Sequence, residues 1–310
     1  MDIQKKQMQE VALLYYEKNL TQNEIAKIMN LSRQTVSKLL NDAVREGIVE
    51  IKVHDPETNC TELERELCNS FGLKNAVVCG VSTDNAELCL MKTVKKAAGY
   101  IGTLVEKGQQ KIGISWGHTV QMLINEFESI NTRNNTVFPL FGATDLEESR
   151  YLSNELARSF AEKIGASVKY AWFPYRPDHI DDCDLFKNTS YYKKLLELWS
   201  DIDIAVVGIG NSDIIREFGR TFGYSEGFVS AIGDISTHFF DSDGRFVDLY
   251  ENTLCASKED LKNAKETVAV ACGADKVQAI IGALLTKTVD TLITDEYTAT
   301  RILKQTVQIR

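Results

Sequence analysis

Thr21-Gln22-Asn23-Glu24-Ile25-Ala26-Lys27-Ile28-Met29-Asn30-Leu31-Ser32-Arg33-Gln34-Thr35-Val36-Ser37-Lys38-Leu39-Leu40 reads as two short helices joined by a tight turn. Thr21 and Glu24 have the S/T-x-x-E spacing of a capping box, in which each side chain satisfies a backbone donor near the other. Ile25, Ala26, Ile28 and Met29 give the first helix its apolar face. Asn30-Leu31-Ser32 makes the turn. Ser32 serves as N-cap of the second helix, whose apolar positions are Val36, Leu39, Leu40 and Val44, and Gly47 stops it. The outward positions of that helix are Arg33, Gln34, Ser37, Lys38 and Asn41, and no acidic residue stands between Ser32 and Asn41 to repel phosphate. This order of signals is a helix-turn-helix, with the second helix suited to a DNA major groove. Gln34 is suited to adenine and Arg33 to guanine, while Lys38, Ser32 and Ser37 suit phosphate oxygens. Thr21, Gln22 and Thr35 complete the expected contact set. An ordinary three-helix packing unit with a polar surface is the competing reading.

The flanks extend the motif on both sides. Met8, Val11, Ala12, Leu14 and Tyr15 recur at helical spacing, so a helix is expected from about residue 4 to 18. Ile48 to Val53 alternates apolar and polar residues with β-branching, which predicts a strand and hence a wing. Asp55-Pro56-Glu57-Thr58-Asn59 is polar and helix-incompatible, so one domain is expected over 1–55 and a second over 56–310. A length of 310 residues agrees with two domains.

Charge divides along the same line. Residues 1–55 carry eight basic and eight acidic side chains, so the whole net charge of −9 belongs to residues 56–310. Long apolar runs are broken by charge or glycine well short of a membrane span, and Met1 to Lys6 opens no leader, so the cytoplasm is expected and no membrane partner. The seven cysteines form no C-x-x-C pair and the four histidines no zinc spacing, so neither metal, cofactor nor disulfide framework is expected.

Past residue 60 the pattern alternates. Strand-like runs at Ala76–Val81, Lys111–Ser115, Thr136–Phe141, Lys169–Phe173, Ile204–Ile209, Thr267–Cys272 and Thr291–Thr294 are separated by helical stretches. That alternation predicts an α/β class with a mostly parallel sheet covered on both faces. Ligands of such sheets sit beyond the carboxyl ends of the strands. Four strand-end loops hold the unusual residues: Gly113 to Thr119, Pro139 to Thr144, Gly208 to Ser212, and Gly273 to Lys276. Together they resemble a phosphate cradle, although glycines at strand ends are commonly plain turn residues. Gly208-Ile209-Gly210 has Asp213 where a dinucleotide fingerprint needs its third glycine. Asp234 lies among apolar residues and needs a donor, either sugar hydroxyls or amides of its own loop. Asp241-Ser242-Asp243-Gly244 reads as the tip of a hairpin.

These residues resemble the SorC family of bacterial sugar-responsive transcriptional regulators. The likeness runs from Tyr15 to Ala26, Leu31 to Leu40 and Glu46 to Val49, then through Gly113-Ile114-Ser115-Trp116-Gly117, Gly208-Ile209-Gly210-Asn211, Gly233-Asp234-Ile235 with Phe240-Asp241, and Gly273 to Ile280. It implies a winged helix-turn-helix fused to an effector domain of the sugar-phosphate isomerase and CoA-transferase type. That domain would sense a phosphorylated sugar without turning it over. Operator DNA and a second copy of the chain, as a homotetramer, are the implied partners. Carried over by position, the phosphate would meet Ser115, Gly117, His118 and Thr119 with Gly142 and Ala143, while Asp234 and Lys276 would close the opposite wall. Gly210 and Asn211 join that effector set. His118 stands where the family commonly has arginine, and Ala143 and Cys272 where it commonly has glycine. A sugar-phosphate isomerase or deaminase with an accessory DNA-binding-like domain is the alternative, and it would need a positioned acid–base pair.

Overall fold

A computed structural model describes residues 3–50, 60–132, 134–144 and 152–309, which form two compact units, Met1–Glu57 and Thr58–Arg310. In the first unit α1 (Ile3–Ala12) runs into one π-helical turn, Leu13–Glu17, and is followed by α2 (Gln22–Met29) and α3 (Arg33–Arg45). The expected first helix is therefore present but widens after Ala12. Met8, Val11, Ile25, Val36, Leu39, Leu40 and Ala43 make the core of this unit. Ile28 and Val44 point outward, 60% and 40% exposed, because α2 and α3 each present only a narrow stripe to the core. Asn30, at φ +52, turns α2 into α3. Gly47 ends α3 at φ +70, and the Ile48 and Val49 amides both reach back to the Ala43 carbonyl. Ile48 and Val49 thus lie in a bend instead of the expected strand, and the remainder of the expected wing, Ile51 to Val53, lies outside the described residues, as does the expected linker.

The second unit begins with α4 (Thr61–Phe71) and alternates thereafter: β1 (Asn75–Cys79), α5 (Ala86–Val105), β2 (Lys111–Ile114), α6 (His118–Glu126), β3 (Thr136–Pro139), α7 (Ser153–Ile164) and β4 (Ser167–Val168). Two helices, α8 (Ile180–Asn188) and α9 (Ser190–Trp199), lead to β5 (Ile204–Gly210) and α10 (Ser212–Phe222). Three short strands follow, β6 (Gly233–Ile235), β7 (His238–Phe240) and β8 (Phe246–Val247). The chain closes with α11 (Lys258–Asn263), β9 (Glu266–Val270), α12 (Val277–Leu285), β10 (Thr291–Asp295) and α13 (Glu296–Ile309). No helix among the described residues is long and apolar enough to cross a membrane.

The main sheet has the order β1-β10-β9-β5-β2-β3-β4 and is parallel throughout. Its central strands β2, β5 and β9 are largely apolar on both faces, as burial between two helical layers requires. Along β5, Ile204 and Val206 enter the core shared with α5, α6 and α7, while Ala205 and Val207 enter the core under α9 and α12. From β2 the chain winds outward to β3 and β4, then returns so that β5 lies on the other side of β2. The strand order reverses there, and a crevice opens between the loops that follow β2 and β5.

Two expectations need adjustment. The strand expected at Lys169–Phe173 falls just past β4 (Ser167–Val168): the Lys169 amide reaches Val137 and the Phe173 carbonyl accepts the Ala143 amide, with no ladder between them. The Asn154 carboxamide binds both the N–H and the C=O of Ala171, at 2.9 and 3.0 Å, and so takes the place of a ladder partner. The parallel sheet also carries an antiparallel appendage, in which Gly210 pairs with Asp234 and β6, β7 and β8 form a meander. The hairpin tip expected at Asp241–Gly244 is present there. The Asp241 carboxylate accepts the amides of Asp243 and Arg245 at 2.9 Å, and Gly244 adopts φ +76.

Candidate functional site

In the first unit the helix starts are fixed by side chains. The Thr21 hydroxyl accepts the Glu24 amide at 3.4 Å and Glu24 accepts the Thr21 amide at 2.8 Å, closing the expected capping box. The Ser32 hydroxyl accepts the Thr35 amide at 3.0 Å and lies 2.8 Å from the Thr35 hydroxyl. Arg33, Gln34, Lys38 and Asn41 stand exposed on α3, while Gln22 and Ser37 are half-buried. Asp42, the first acid after this run, is turned inward and paired to Arg45 at 2.6 Å. The exposed α3 face therefore presents cations and amides without a competing carboxylate, and Thr21, Gln22 and Arg33 share an open hollow with Tyr15, Tyr16 and Asn19.

In the second unit a cavity of about 280 Å³ occupies the crevice between β2 and β5. It collects expected residues from four places in the chain. Ser115, Gly117, His118 and Thr119 come from the turn between β2 and α6, Gly210 from the end of β5, Asp234 from β6 and Lys276 from the turn after β9. Gly117 caps α6 at φ +103 with no side chain, so the first amides of the helix keep no side-chain cap, the arrangement that suits an anion. Gly273, at φ +116, opens a three-residue 3-10 turn, Ala274–Lys276, that brings both Asp275 and Lys276 to the cavity. The Lys276 ammonium donates to the Ile209 carbonyl at 3.1 Å, which fixes it against the end of β5.

Asp234 is 3% exposed. Burial raises its carboxyl to about 6, against the opposing pull of the Thr237 amide, the Lys276 cation and the Gly210 amide. Thr237 N–H donates to it at 3.0 Å, so the loop-amide reading is realised while the residue still lines the cavity. Asp241 is committed to its turn and is not among the cavity residues.

Three of the expected effector residues stand apart from the lining. Gly142 and Ala143 run beside residues 173–175, bonded Ala143 N to Phe173 O at 2.8 Å and Tyr175 N to Ala143 O at 2.6 Å. A Cβ on Gly142 would come within 2.6 Å of the Pro174 backbone, so packing accounts for the glycine. Asn211 acts one step removed, donating from its Nδ2 to Asp275 at 3.0 Å, and Asp275 does line the cavity.

Sequence reasoning noted Cys272 only as a departure from glycine, and passed over Trp116, Ile214 and Ser236, and also Ala86 and Leu90 of α5. Trp116 is held edge-on against Phe141 and Phe218, at 6.3 and 5.3 Å between ring centres, and offers an apolar wall. The Cys272 thiol is pushed up to about 12 by burial and stays protonated. Trp116 sits within a loop already noted for its glycines and Cys272 directly before another, whereas nothing in the sequence around Ala86 or Leu90 marks them.

Residues 55–304 match the model of a sugar-binding domain family, and residues 3–57 match the MarR family. Over 305 residues the chain is 31% identical to the sorbitol operon regulator of Klebsiella pneumoniae, covering 95% of this chain and 96% of that one. It is 29% identical over 310 residues to the deoxyribonucleoside regulator of Bacillus subtilis, covering 96% and 98%. The crystal structure of the full-length sorbitol operon regulator SorC from K. pneumoniae matches with a TM-score of 0.75 at 29% identity, over 96% of this chain and 98% of that chain. A transcriptional regulator from Streptococcus pneumoniae matches with a TM-score of 0.73 at 28% identity, over 80% and 98%.

Proposed function

The chain belongs to the SorC family of sugar-responsive transcriptional regulators, and from that premise we propose that it controls a carbohydrate-utilisation operon in the cytoplasm, with a phosphorylated sugar as effector. The observation that carries this reading is the pairing, in one chain, of a recognition helix whose exposed face carries no acid with a cavity that combines the uncapped start of α6, Lys276 and Asp234. Helical amides and an ammonium suit a phosphate, and a buried carboxyl suits sugar hydroxyls. Arg33 and Gln34 read base edges in this account, Lys38 and Ser37 meet phosphates, and the capping bonds of Thr21, Ser32 and Thr35 set the helix angle. The effector acts by changing how subunits of a tetramer present their recognition helices to paired operator half-sites. In this account the cavity binds its effector without turnover.

A mobility-shift titration tests this reading, using DNA from upstream of the protein's own operon with each of a panel of phosphorylated and free sugars. Binding at low salt that is altered by at least one sugar phosphate and not by its free sugar is expected. Failure to bind that DNA, or binding indifferent to every sugar, overturns it. Turnover of ribose 5-phosphate or glucosamine 6-phosphate by the purified protein would replace it with the enzymatic alternative.

A further inference from the structure

Ser236 is the cavity residue whose chemistry is least accounted for. It follows Ile235 at the end of β6 and is 2% exposed, yet its hydroxyl has no hydrogen-bond partner among the described residues. A buried hydroxyl without a partner is costly, and native proteins leave few of them. Its backbone is costly as well. Ser236 and Thr237 adopt φ +48 and φ +72 in succession, a left-handed pair that glycine or asparagine fills at less cost. The turn is held from both sides, by the Ile235–His238 pairing and by the Asp234 carboxylate on the Thr237 amide at 3.0 Å. A strained, fixed turn that buries an unsatisfied hydroxyl in the wall of a cavity marks a place where the missing partner can belong to a ligand.

We propose that Ser236 is a specificity-determining residue that hydrogen-bonds one hydroxyl of the effector, so that the cavity selects a fully hydroxylated sugar or polyol over the analogue deoxygenated at that carbon. This inference rests on the reading of the cavity as the effector site. A serine hydroxyl both donates and accepts, and so fits a ligand hydroxyl in either sense. Gly208 leaves room beside it, and Trp116 and Ile209 supply the apolar contact that a sugar ring or chain needs. A site built around a buried polar group discriminates strongly against a ligand lacking the matching group, because the orphaned partner stays buried.

The experiment is a double-mutant cycle on the full chain. Ribose 5-phosphate, glucose 6-phosphate, fructose 6-phosphate, glucitol 6-phosphate and their unphosphorylated forms are screened by thermal shift. The best binder and its mono-deoxy analogues are then titrated calorimetrically into wild type, Ser236→Ala, Ser236→Gly and Ser236→Thr. Ser236→Gly suits the left-handed backbone and keeps the test valid should the alanine variant fold poorly. Expected are a roughly tenfold weaker Kd for the alanine and glycine variants, recovery in the threonine variant, and one deoxy analogue that binds wild type and Ser236→Ala equally. Losses that add for every analogue overturn the role of Ser236 while leaving the effector site intact. A wild type stabilised by no sugar of the panel overturns the effector reading and the inference with it.

Discussion

At Asp234 and His238, four residues apart on the appended hairpin, burial acts in opposite directions. Burial raises the Asp234 carboxyl from 3.8 to about 6, and it lowers the His238 imidazole from 6.5 to about 4. His238 is held neutral with its Nε2 2.8 Å from the Ala256 carbonyl, which it meets as a donor. Between pH 3.8 and 6 the unfolded chain has lost the Asp234 proton that the folded chain keeps, so this group removes stability as pH rises through that window. The loss, on the order of 2–3 kcal/mol, persists at neutral pH. Between pH 6.5 and 4 the unfolded chain binds the His238 proton that the folded chain refuses, so that group removes stability as pH falls. The two slopes oppose each other in wild type. Asp234→Asn is therefore expected to raise the ligand-free melting temperature at pH 7.5, by about 2–4 °C per kcal/mol gained. It is expected to lose the advantage by pH 4; calorimetric scans at the two pH values check both. Gly142 makes a different prediction. Gly142→Ala should destabilise by about 1–3 kcal/mol in urea through collision with the Pro174 backbone, with effector Kd unchanged in the folded fraction. A weakened Kd there would return Gly142 to the effector wall.

At the scale of elements, what could be read in the sequence was whatever has a local cause. Thr21, Glu24, Asn30 and Ser32 act within a few residues of themselves, and each does in the structure what its spacing announces. The seven parallel strands were foreshadowed by their β-branched runs, except where a distant side chain intervenes, as Asn154 does at Ala171. The β6–β8 meander was visible only at its Asp241–Gly244 tip, because β6 and β7 are three residues each and their pairing with β5 depends on long-range register. For the same reason Ser236 could not be seen as a cavity residue, although Asp234 two positions earlier could. The recognition helix yields the prediction proper to this scale. Lys38→Ala should weaken operator and unrelated DNA alike and lower the salt slope by about one. Gln34→Ala should instead cost about 1–3 kcal/mol on the operator alone. Ser32→Ala, which removes the cap while leaving Arg33, Gln34 and Lys38 in place, should destabilise the first unit by about 1 kcal/mol. Fluorescence anisotropy against two DNA sequences over a salt series separates the first two, and urea unfolding monitored by helical dichroism measures the third. Equal losses on both DNAs for Gln34→Ala would remove its assignment to a base edge.

For the whole molecule, the two compact units have separate cores. Met8, Ile25, Val36 and Leu40 pack together in the first, and both large apolar clusters of the second begin at residue 60 or later. The charge follows the same division, since residues 1–55 are electrically balanced and the remainder carries the net −9. The recognition helix is therefore a local cationic face in an acidic protein, and sensing and gripping reside in different cores. A fragment spanning residues 58–310 should then retain the whole effector response without the DNA response. A ligand that binds only the folded state stabilises it by about 2.7 kcal/mol at a hundredfold excess over Kd, whether or not the first unit is attached. For a unit of this size that corresponds to a rise in melting temperature of about 5–10 °C. The fragment and the full chain are thus expected to show equal Kd for the same sugar phosphate by calorimetry, while only the full chain retards operator DNA. A fragment that folds, as judged by far-ultraviolet dichroism, yet binds the sugar tenfold more weakly would show that the first unit contributes to effector binding. In that event sensing could no longer be assigned to the second core alone.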